Sequence, residues 1–176
     1  MTLTILQVAE DFVVDNLAAI KNLLSDAYEG DFSEEDWLHS FGGVRFLGIL
    51  NNEIVAHGAV VPREVLINEK MTTVGYLEAI AVASKNQGQG IGRELLSSMS
   101  EFCVSRYQIS MLSTDEFNFY SNFGWKQFKG KSGVLLDGEA VLTPDEDDGL
   151  MYLIGKARFS QEILTAYCDP REGDHW

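Results

Sequence analysis

The spacing of apolar residues along the chain switches between the 3.6-residue period of amphipathic helices and the runs and alternations of strands. Asn51-Asn52 and Asn68-Glu69 interrupt the apolar runs and predict tight turns between neighbouring strands. In chain order, the pattern predicts a strand within 1–10, helices over 16–27 and 34–41, strands over 44–50, 54–63 and 73–83, a helix over 91–105, a strand over 108–113, a second short helix, strands near 133–136 and 150–155 with an acidic loop between them, and a weak helical pattern over 160–168.

Residues that favour helix ends set the predicted boundaries of the first two helices. Ser33 and Asp36 match a capping box at the start of the second helix, and Gly42-Gly43 would end it. Asp15 can cap the first helix, over 16–27. Four apolar residues of that first helix would share one face: Leu17, Ile20, Leu24 and Ala27.

This order of elements, β-α-α-β-β-β-loop-α-β-α-β, predicts an α/β fold built around a mixed sheet. The chain has 176 residues, of which 45% are hydrophobic, enough for one full core and too few for two comfortable domains. No Pro- or Ser-rich linker, repeat or low-complexity stretch interrupts the pattern, so we expect a single domain over residues 1–176.

Composition limits the compartment in which the protein is expected to act. No stretch approaches the ~20 consecutive apolar residues that a membrane span needs. The N-terminus lacks the basic region of a signal peptide and is typical of a first strand. The two cysteines provide no disulfide framework, and Cys103 falls on an apolar helix face. We therefore expect a cytoplasmic protein that does not bind membranes.

The chain is strongly acidic, with a net charge of −14 from 27 Asp and Glu residues against 13 Lys and Arg residues. Long-range repulsion disfavours binding to nucleic acid or to an anionic membrane. Acidic residues cluster within 26–36, within 137–149 and in the segment 169–176. The clusters favour a cationic ligand, although a solvated acidic surface is equally consistent with the charge alone.

A glycine-rich loop joins a strand-like run to a helix-like run. Such a loop presents backbone N–H groups and a helix N-terminus, to which phosphates commonly bind. Its spacing fits neither a dinucleotide fingerprint nor a P-loop, since Arg93-Glu94 follows the last glycine. Gln87-x-x-Gly90-x-Gly92 resembles the pyrophosphate loop of the GNAT superfamily of acetyl-CoA-dependent N-acetyltransferases; the alternative is a helix start that merely turns tightly. The resemblance implies six cofactor-binding residues: Gln87, Gly88, Gln89, Gly90, Ile91 and Gly92.

A second segment resembles the same superfamily. Phe119-Tyr120-Ser121-Asn122-Phe123-Gly124-Trp125 is similar to its aromatic segment, in which a tyrosine faces the sulfur of CoA. By position this tyrosine is Tyr120, and the resemblance implies that it protonates the departing thiolate. Without the glycine-rich loop, Tyr120 would more simply be a half-buried aromatic. The superfamily fold is a central mixed, mostly antiparallel sheet flanked by helices, and we expect that fold here.

Glu78 lies within an otherwise apolar strand, where a carboxylate is costly unless it has a partner or a role. It is a candidate general base, acting through water, and a substrate anchor. Alternation would place it on one face with Tyr76, Ile80 and Val82; the alternative is a solvent-facing residue on a splayed strand. The superfamily resemblance implies that the backbone of Ile80, Ala81 and Val82 holds the pantetheine arm. It also implies that the amide of Ile80 polarises the thioester carbonyl.

Several segments resemble the aminoglycoside 2'-N-acetyltransferases more closely, among them Gly30-Asp31-Phe32-Ser33-Glu34-Glu35-Asp36-Trp37, Gly75-Tyr76-Leu77-Glu78-Ala79 and the final segment 167–176. This resemblance implies an acceptor pocket lined by acids, acetyl-CoA as co-substrate, no metal, and a homodimer. Carried over by position, the implied substrate-binding residues are Asp31, Asp36, Glu78, Ala79, Ser113, Asp147, Asp174 and the carboxylate of Trp176. The choice between Asp147 and Asp148 stays open.

The predicted function is transfer of an acetyl group from acetyl-CoA to the 2'-amino group of aminoglycosides, which would confer resistance. One alternative keeps the fold and changes the acceptor to another cationic amine, such as a cell-wall amino sugar or a polyamine. Another is a non-catalytic acyl-CoA-binding module, which would need neither Glu78 as a base nor Tyr120 as an acid. We expect His39 and His57 to be structural, and Cys103 to be a poor nucleophile because its helical position is buried.

Overall fold

The computed structural model describes residues 2–144, 147–157, 159 and 161–176. As predicted, the fold is mixed α/β, with a central mixed sheet flanked by helices. The helices are α1 (Glu10–Ala27), α2 (Glu34–His39), α3 (Ile91–Arg106) and α4 (Phe117–Ser121). The strands are β1 (Leu3–Val8), β2 (Val44–Leu50), β3 (Glu53–Ile67), β4 (Lys70–Val82), β5 (Ile109–Ser113), β6 (Lys126–Gln127), β7 (Lys131–Leu136), β8 (Glu139–Leu142), β9 (Leu150–Ile154) and β10 (Thr165–Cys168).

The chain divides into two compact units, and the first comprises the residues up to Val61 together with Leu77–Glu101. In this unit β1 pairs antiparallel with β2, and β2 pairs antiparallel with β3. The predicted turn at Asn51-Asn52 is confirmed, since both residues adopt the left-handed conformation of a tight hairpin. The predicted capping box of α2 is also confirmed. The core of the unit contains Val13, Ile20, Leu23, Leu24, Trp37, Leu47, Ala81 and Ala83.

The second unit comprises Pro62–Tyr76 and Phe102–Trp176. Its strands follow the order β6-β9-β5-β4-β3-β10-β7-β8. The pairs β4–β5 and β10–β7 are parallel, and the other described pairs in this unit are antiparallel. The sheet is therefore mixed and mostly antiparallel, as expected. Its core contains Val65, Ile67, Val74, Tyr76, Ile109, Met111, Phe128, Val134, Leu150, Ile163, Ala166, Cys168 and Trp176.

The predicted start of the first helix is wrong. Helix α1 begins at Glu10, and Asp15 lies exposed inside it; the N-cap residue Ala9 makes no capping side-chain hydrogen bond. Val13 is buried in the core of the unit, whereas Leu17 is 40% exposed and does not share the core face. Burying a Val side chain stabilises by roughly 1.5–3 kcal/mol, more than the ~1 kcal/mol of a typical cap. The additional turn is therefore favoured over a start at Asp15.

Two predictions for the C-terminal part are also wrong. Residues 160–168 were expected to be weakly helical, but Thr165–Cys168 forms β10, which pairs with both β3 and β7. Alternating burial of Ala166 and Cys168 is the period-2 pattern of a strand. The predicted acidic loop between 136 and 150 contains β8, which forms a hairpin with β7 through Asp137-Gly138. That dipeptide is a strong hairpin signal, because both positions of its turn need positive φ.

Both cysteines are buried, and neither forms a disulfide. Burial raises the pKa of the Cys103 thiol to about 12 and that of the Cys168 thiol to about 11. Each thiol therefore stays protonated near neutral pH, which agrees with the expectation that Cys103 is a poor nucleophile. Within the described part of the chain, no helix has both the length and the apolar character needed to cross a membrane.

Candidate active site

The glycine-rich loop lies between β4 and α3 in the first unit. Gly88 and Gly90 have φ values of 73° and 84°, a region that glycine adopts without the steric cost paid by other residues. The side-chain amide of Gln87 donates to the Val82 carbonyl at 3.2 Å, and that of Gln89 donates to the Lys85 carbonyl at 3.3 Å. The loop is exposed and leads directly into the 16-residue helix α3. It is therefore suited to hold an anion at a helix N-terminus.

Strand β4 departs from regular geometry just before this loop. Ala79 has a φ of 51°, a left-handed conformation that costs a non-glycine residue roughly 1–2 kcal/mol. Tyr76 and Leu77 are both buried; Ala81 farther along the strand, and Ala83 just after its end, belong to the core of the first unit. The prediction of uninterrupted alternation, which placed Glu78 with Tyr76, Ile80 and Val82, is therefore wrong. Glu78 is half-buried beside the irregular residue.

A buried polar network holds the carbonyl of Ala79. His57 is fully buried, with Nδ1 2.7 Å from the Ala79 carbonyl oxygen and Nε2 2.9 Å from Nη1 of Arg45. A carbonyl only accepts and a guanidinium only donates, so Nδ1 carries the proton and Nε2 accepts. The Arg45 guanidinium lies over the rings of Trp37 and Phe41, at 4.8 and 4.5 Å from their centroids. His57 is therefore a neutral side chain held in one orientation, consistent with the expected structural role.

His57 predicts a pH dependence of folding. Burial lowers its pKa from 6.5 to about 4; the bond to Ala79 opposes this shift, and the charge of Arg45 adds to it. The unfolded chain therefore binds a proton at higher pH than the folded chain does. This contribution to stability is complete above pH 6.5 and is lost as the pH falls towards 4, by up to about 3 kcal/mol. Between pH 7.5 and 4.5, the free energy of unfolding measured with denaturant should fall less steeply for His57→Asn than for the wild type. Parallel pH dependences in the two proteins would contradict this role of His57.

Tyr28 lies at the end of α1 and was not predicted as a site residue. Its hydroxyl donates to the Ile80 carbonyl at 3.0 Å, and its ring packs against Phe32 with centroids 5.1 Å apart. The residue is 37% exposed, but desolvation of its hydroxyl raises the pKa of Tyr28 to about 12, and the negative charges of Glu78 and Asp36 add to the rise. Two of the predicted acids are therefore close to this phenol. Asp36 also caps α2, because its carboxylate accepts from the backbone and hydroxyl of Ser33.

In the second unit, an open cavity of about 450 Å³ has an acidic lining. Its lining residues are Ser113, Thr114, Asp115, Phe117, Asp148, Gly149, Asp174 and Trp176. Asp115, Asp148 and Asp174 are exposed, and among the described residues no cationic side chain forms an ion pair with them. A Cβ at Gly149 would lie 2.6 Å from Oγ of Ser113, so glycine permits this close approach. Three exposed carboxylates around an aromatic-walled cavity favour a cationic guest.

The final residues are tied to the second unit at several points. Arg63 pairs with the Asp169 carboxylate at 3.0 Å, and Nε of Arg171 donates to the Asp174 carbonyl at 2.7 Å. The Cys168 thiol donates to the His175 carbonyl, with sulfur and oxygen 3.3 Å apart. Trp176 is only 5% exposed and packs near the ring of Tyr76, with centroids 6.4 Å apart. These contacts place Asp174 and Trp176 at the acidic cavity.

Most of the chain, including the glycine-rich loop and strand β4, matches a known protein family. Residues 14–128 match the family model described as an acetyltransferase (GNAT) domain, which covers more than half of the chain. The chain belongs to the GNAT acetyltransferase family.

Individual relatives give a finer comparison. An aminoglycoside 2'-N-acetyltransferase of Mycolicibacterium fortuitum is 32% identical over 161 residues, or 89% of this chain and 83% of the relative. The GNAT family N-acetyltransferase YhbS of Escherichia coli, crystallised with CoA, matches with a TM-score of 0.67 at 17% identity, covering 94% of this chain and 89% of YhbS. A GNAT family acetyltransferase of Brucella melitensis, crystallised with acetyl-CoA, matches with a TM-score of 0.65 at 16% identity, covering 97% of both chains.

At these identities the two solved structures support the GNAT fold alone. Three other matching structures belong to longer chains, and this chain covers 33% of each of them.

The predicted site residues of this GNAT chain fall into two groups. In the first unit, Asp36 and Glu78 lie close to Tyr28. Asp31 is exposed, three residues after Tyr28 in the sequence. The end of β4, formed by Ala79, Ile80, Ala81 and Val82, leads towards the loop of Gln87–Gly92. In the second unit, Ser113, Asp174 and Trp176 line one cavity. Tyr120 is buried in α4 among aromatic rings, 5.3 Å from Phe119 and 6.5 Å from Trp125 between centroids, and is not a lining residue of that cavity. The Asp147 side chain lies outside the described residues, whereas Asp148 lines the cavity.

The structure adds residues that sequence reasoning missed. Phe117 lines the acidic cavity, and Tyr28 contacts the backbone of β4. His57 was expected only to be structural, and its contact with the Ala79 carbonyl was not predicted. The sequence does contain a signal for Arg45 and His57, because each is a charged or titratable residue inside an apolar strand. Tyr28 carries no comparable signal, since a tyrosine beside a turn is ordinary.

The GNAT loop gives a prediction with a close internal control. Ala at position 90 would be strained at a φ of 84°, so we expect Gly90→Ala to move the loop and raise the KM for acetyl-CoA about 5- to 30-fold. Gly138→Ala is the control, since Gly138 has a φ of 85° and equally open surroundings in the β7–β8 turn. Steady-state kinetics on both variants separates strain from ligand binding. Equal KM values in the two variants would contradict a role for the loop.

Proposed function

We propose that this chain transfers the acetyl group of acetyl-CoA directly to the 2'-amino group of aminoglycoside antibiotics, and that this activity confers resistance. The observation that carries the proposal is the acidic cavity lined by Asp115, Asp148 and Asp174. An aminoglycoside carries several ammonium groups, and a carboxylate of the cavity can form a charge-assisted hydrogen bond with a bound ammonium group. The 32% identical relative named aminoglycoside 2'-N-acetyltransferase supports the same acceptor.

The residues of the first unit would hold the co-substrate. Backbone N–H groups of the Gln87–Gly92 loop would bind the pyrophosphate of acetyl-CoA at the N-terminus of α3. The backbone of Ile80, Ala81 and Val82 would hydrogen-bond the pantetheine arm as a strand-like ligand. The Ile80 N–H would polarise the thioester carbonyl, because a donor placed where negative charge develops lowers the barrier. The observed loop, with its positive-φ glycines and long following helix, suits this role.

Two side chains would move the protons. An acceptor amine is mostly protonated near neutral pH and must lose a proton before it can attack. Glu78 would accept that proton, through a water molecule, and would anchor the cationic acceptor together with Asp31 and Asp36. Tyr120 would donate a proton to the departing thiolate. In the second unit, Ser113, Asp174 and Trp176 would contact the acceptor, along with Asp147 or Asp148.

Another cationic amine is a second candidate, because exposed carboxylates around a cavity favour any cation of suitable size. A cell-wall amino sugar or a polyamine would meet the same charges. A non-catalytic acyl-CoA-binding module would not need a half-buried carboxylate beside the pantetheine-binding segment. The family resemblance further predicts a homodimer, which light scattering during gel filtration would test.

The decisive experiment is release of free CoA from acetyl-CoA in the presence of a panel of amines. Gentamicin and tobramycin offer a free 2'-amine, kanamycin A and amikacin carry a 2'-hydroxyl, and spermidine is a polyamine. Turnover confined to the 2'-amino drugs is the expected result. Turnover of spermidine, or of the 2'-hydroxyl drugs as well, would keep an acetyltransferase and overturn the proposed acceptor. Binding of acetyl-CoA without turnover of any amine in the panel would favour an acceptor outside the panel, such as a cell-wall amino sugar, or the binding module.

A further inference from the structure

The irregular segment of β4 is held from two sides by side chains that have no role in the proposed chemistry. His57 donates to the carbonyl of Ala79, and Tyr28 donates to the carbonyl of Ile80. The two acceptors are consecutive along the backbone, so two neighbouring peptide groups are each held by a side chain. Ala79 has the left-handed φ of 51°, which persists only where surrounding contacts maintain it.

The planarity of the peptide bond links these contacts to the proposed chemistry. The carbonyl of Ala79 and the N–H of Ile80 belong to one trans peptide group and therefore point in opposite directions within one plane. A hydrogen bond that holds the Ala79 oxygen consequently sets the direction of the Ile80 N–H. The bond from Tyr28 sets the direction of the next N–H, that of Ala81, in the same way.

We propose that His57 and Tyr28 are positioning residues, which hold the peptide groups after Ala79 and Ile80 and thereby aim the Ile80 N–H. This inference rests on the proposed role of the Ile80 N–H. The rigidity comes from burial, because His57 is 0% exposed and Arg45, which holds its other ring nitrogen, is 1% exposed. The Arg45 guanidinium in turn packs over two aromatic rings and donates to the hydroxyl of Ser40 at 3.0 Å.

Of the two positioning residues, Tyr28 is the more exposed, at 37% against 0% for His57. Its hydroxyl is the only part of the side chain that the Ile80 bond requires, while the ring packs against Phe32. Tyr28→Phe therefore removes the hydrogen bond and keeps the ring contact. Tyr167→Phe, on β10 in the second unit, is a matched control that removes a tyrosine hydroxyl elsewhere.

The His57 side is tested by a pair of variants. His57→Asn can place an N–H donor near the position of Nδ1, whereas His57→Leu has no donor for the Ala79 carbonyl. We expect kcat to fall about 10- to 100-fold in His57→Leu and in Tyr28→Phe. Removing an oxyanion donor lowers kcat by about 10²- to 10³-fold, and a donor that points away from the oxyanion should cause a large part of that loss. We expect His57→Asn to recover most of the loss, and the Kd for acetyl-CoA to change less than twofold in Tyr28→Phe. Tyr167→Phe should match the wild type.

A readout that needs no acceptor separates this inference from the proposed function. Amide hydrogen exchange at residues 79–82 should become at least tenfold faster in Tyr28→Phe and His57→Leu, whichever amine the enzyme acetylates. Should His57→Leu fail to fold, Tyr28→Phe carries the test alone. Unchanged exchange at these amides, or a kcat in Tyr28→Phe within twofold of the wild type for an accepted amine, would overturn the inference. Equal losses in His57→Asn and His57→Leu would overturn the part assigned to His57.

Discussion

Replacing Glu78 with Gln is expected to lower kcat by about 10²- to 10⁴-fold, the range that general acid–base catalysis typically contributes. Glutamine has nearly the same shape as glutamate, so the half-buried position beside Ala79 can be filled without a cavity. Its amide cannot accept the proton of an ammonium group. The loss should therefore appear in the chemical step, with KM for acetyl-CoA nearly unchanged.

The pH dependence of this variant should be diagnostic. An acceptor amine that loses its proton to solvent no longer needs a base, so the deficit of Glu78→Gln should shrink as the pH rises towards the pKa of the amine. Glu101→Gln, on the exposed surface of α3, is the charge-matched control and should behave as the wild type. A kcat for Glu78→Gln within twofold of the wild type would rule out Glu78 as the base. Water or another carboxylate would then have to accept the proton.

The second large effect concerns the final residues of the sequence. Removing Asp174, His175 and Trp176 is expected to raise the KM for an aminoglycoside by about 10- to 100-fold, since a charge-assisted contact is worth roughly 1.5–3 kcal/mol. The same deletion should leave the Kd for acetyl-CoA nearly intact, because the proposed pyrophosphate and pantetheine contacts come from the first unit. Deletion of a short exposed acidic segment is normally harmless. Here the segment is anchored, and Trp176 lies in the core of the second unit.

Because the deletion also uncovers Tyr76, a smaller change is needed beside it. Asp174→Asn removes one charge and keeps the backbone carbonyl that accepts from Arg171. It should raise the KM for the aminoglycoside alone, whereas Asp15→Asn, which removes an exposed charge on α1, should have no effect. Equal weakening of both substrates by the deletion, with no effect of Asp174→Asn, would mean that the segment supports the fold and does not bind the acceptor.

The elements that could be predicted from the sequence are those whose signals are local. The hairpin at Asn51-Asn52, the capping box of Ser33 and Asp36, and the loop before α3 all appear where their residues indicate. Strand β10 could not be predicted from local signals. Its four residues become a strand because β3 and β7 provide partners on both sides, and those partners lie far away in the sequence.

The contact between Arg45 and His57 could not be predicted, because it depends on a single irregularity in the pairing of β2 with β3. A regular hairpin around Asn51-Asn52 would pair Arg45 with Gly58 and would place His57 on the opposite face of the sheet. The register shifts between Gly48 and Ile49, so Arg45 pairs with Ala59 and shares a face with His57. A one-residue bulge thus creates the contact between the two side chains. Nothing in the residue pattern indicates where such a bulge falls.

The buried thiols make this protein convenient for site-directed labelling. Cys103 and Cys168 are the two cysteines of the chain, and both are covered and protonated near neutral pH. A maleimide reagent should therefore leave the wild-type protein unmodified, and a cysteine introduced at exposed Gln89 would be the single reactive position. A fluorophore or spin label attached there would report on the glycine-rich loop directly, without removing either native cysteine.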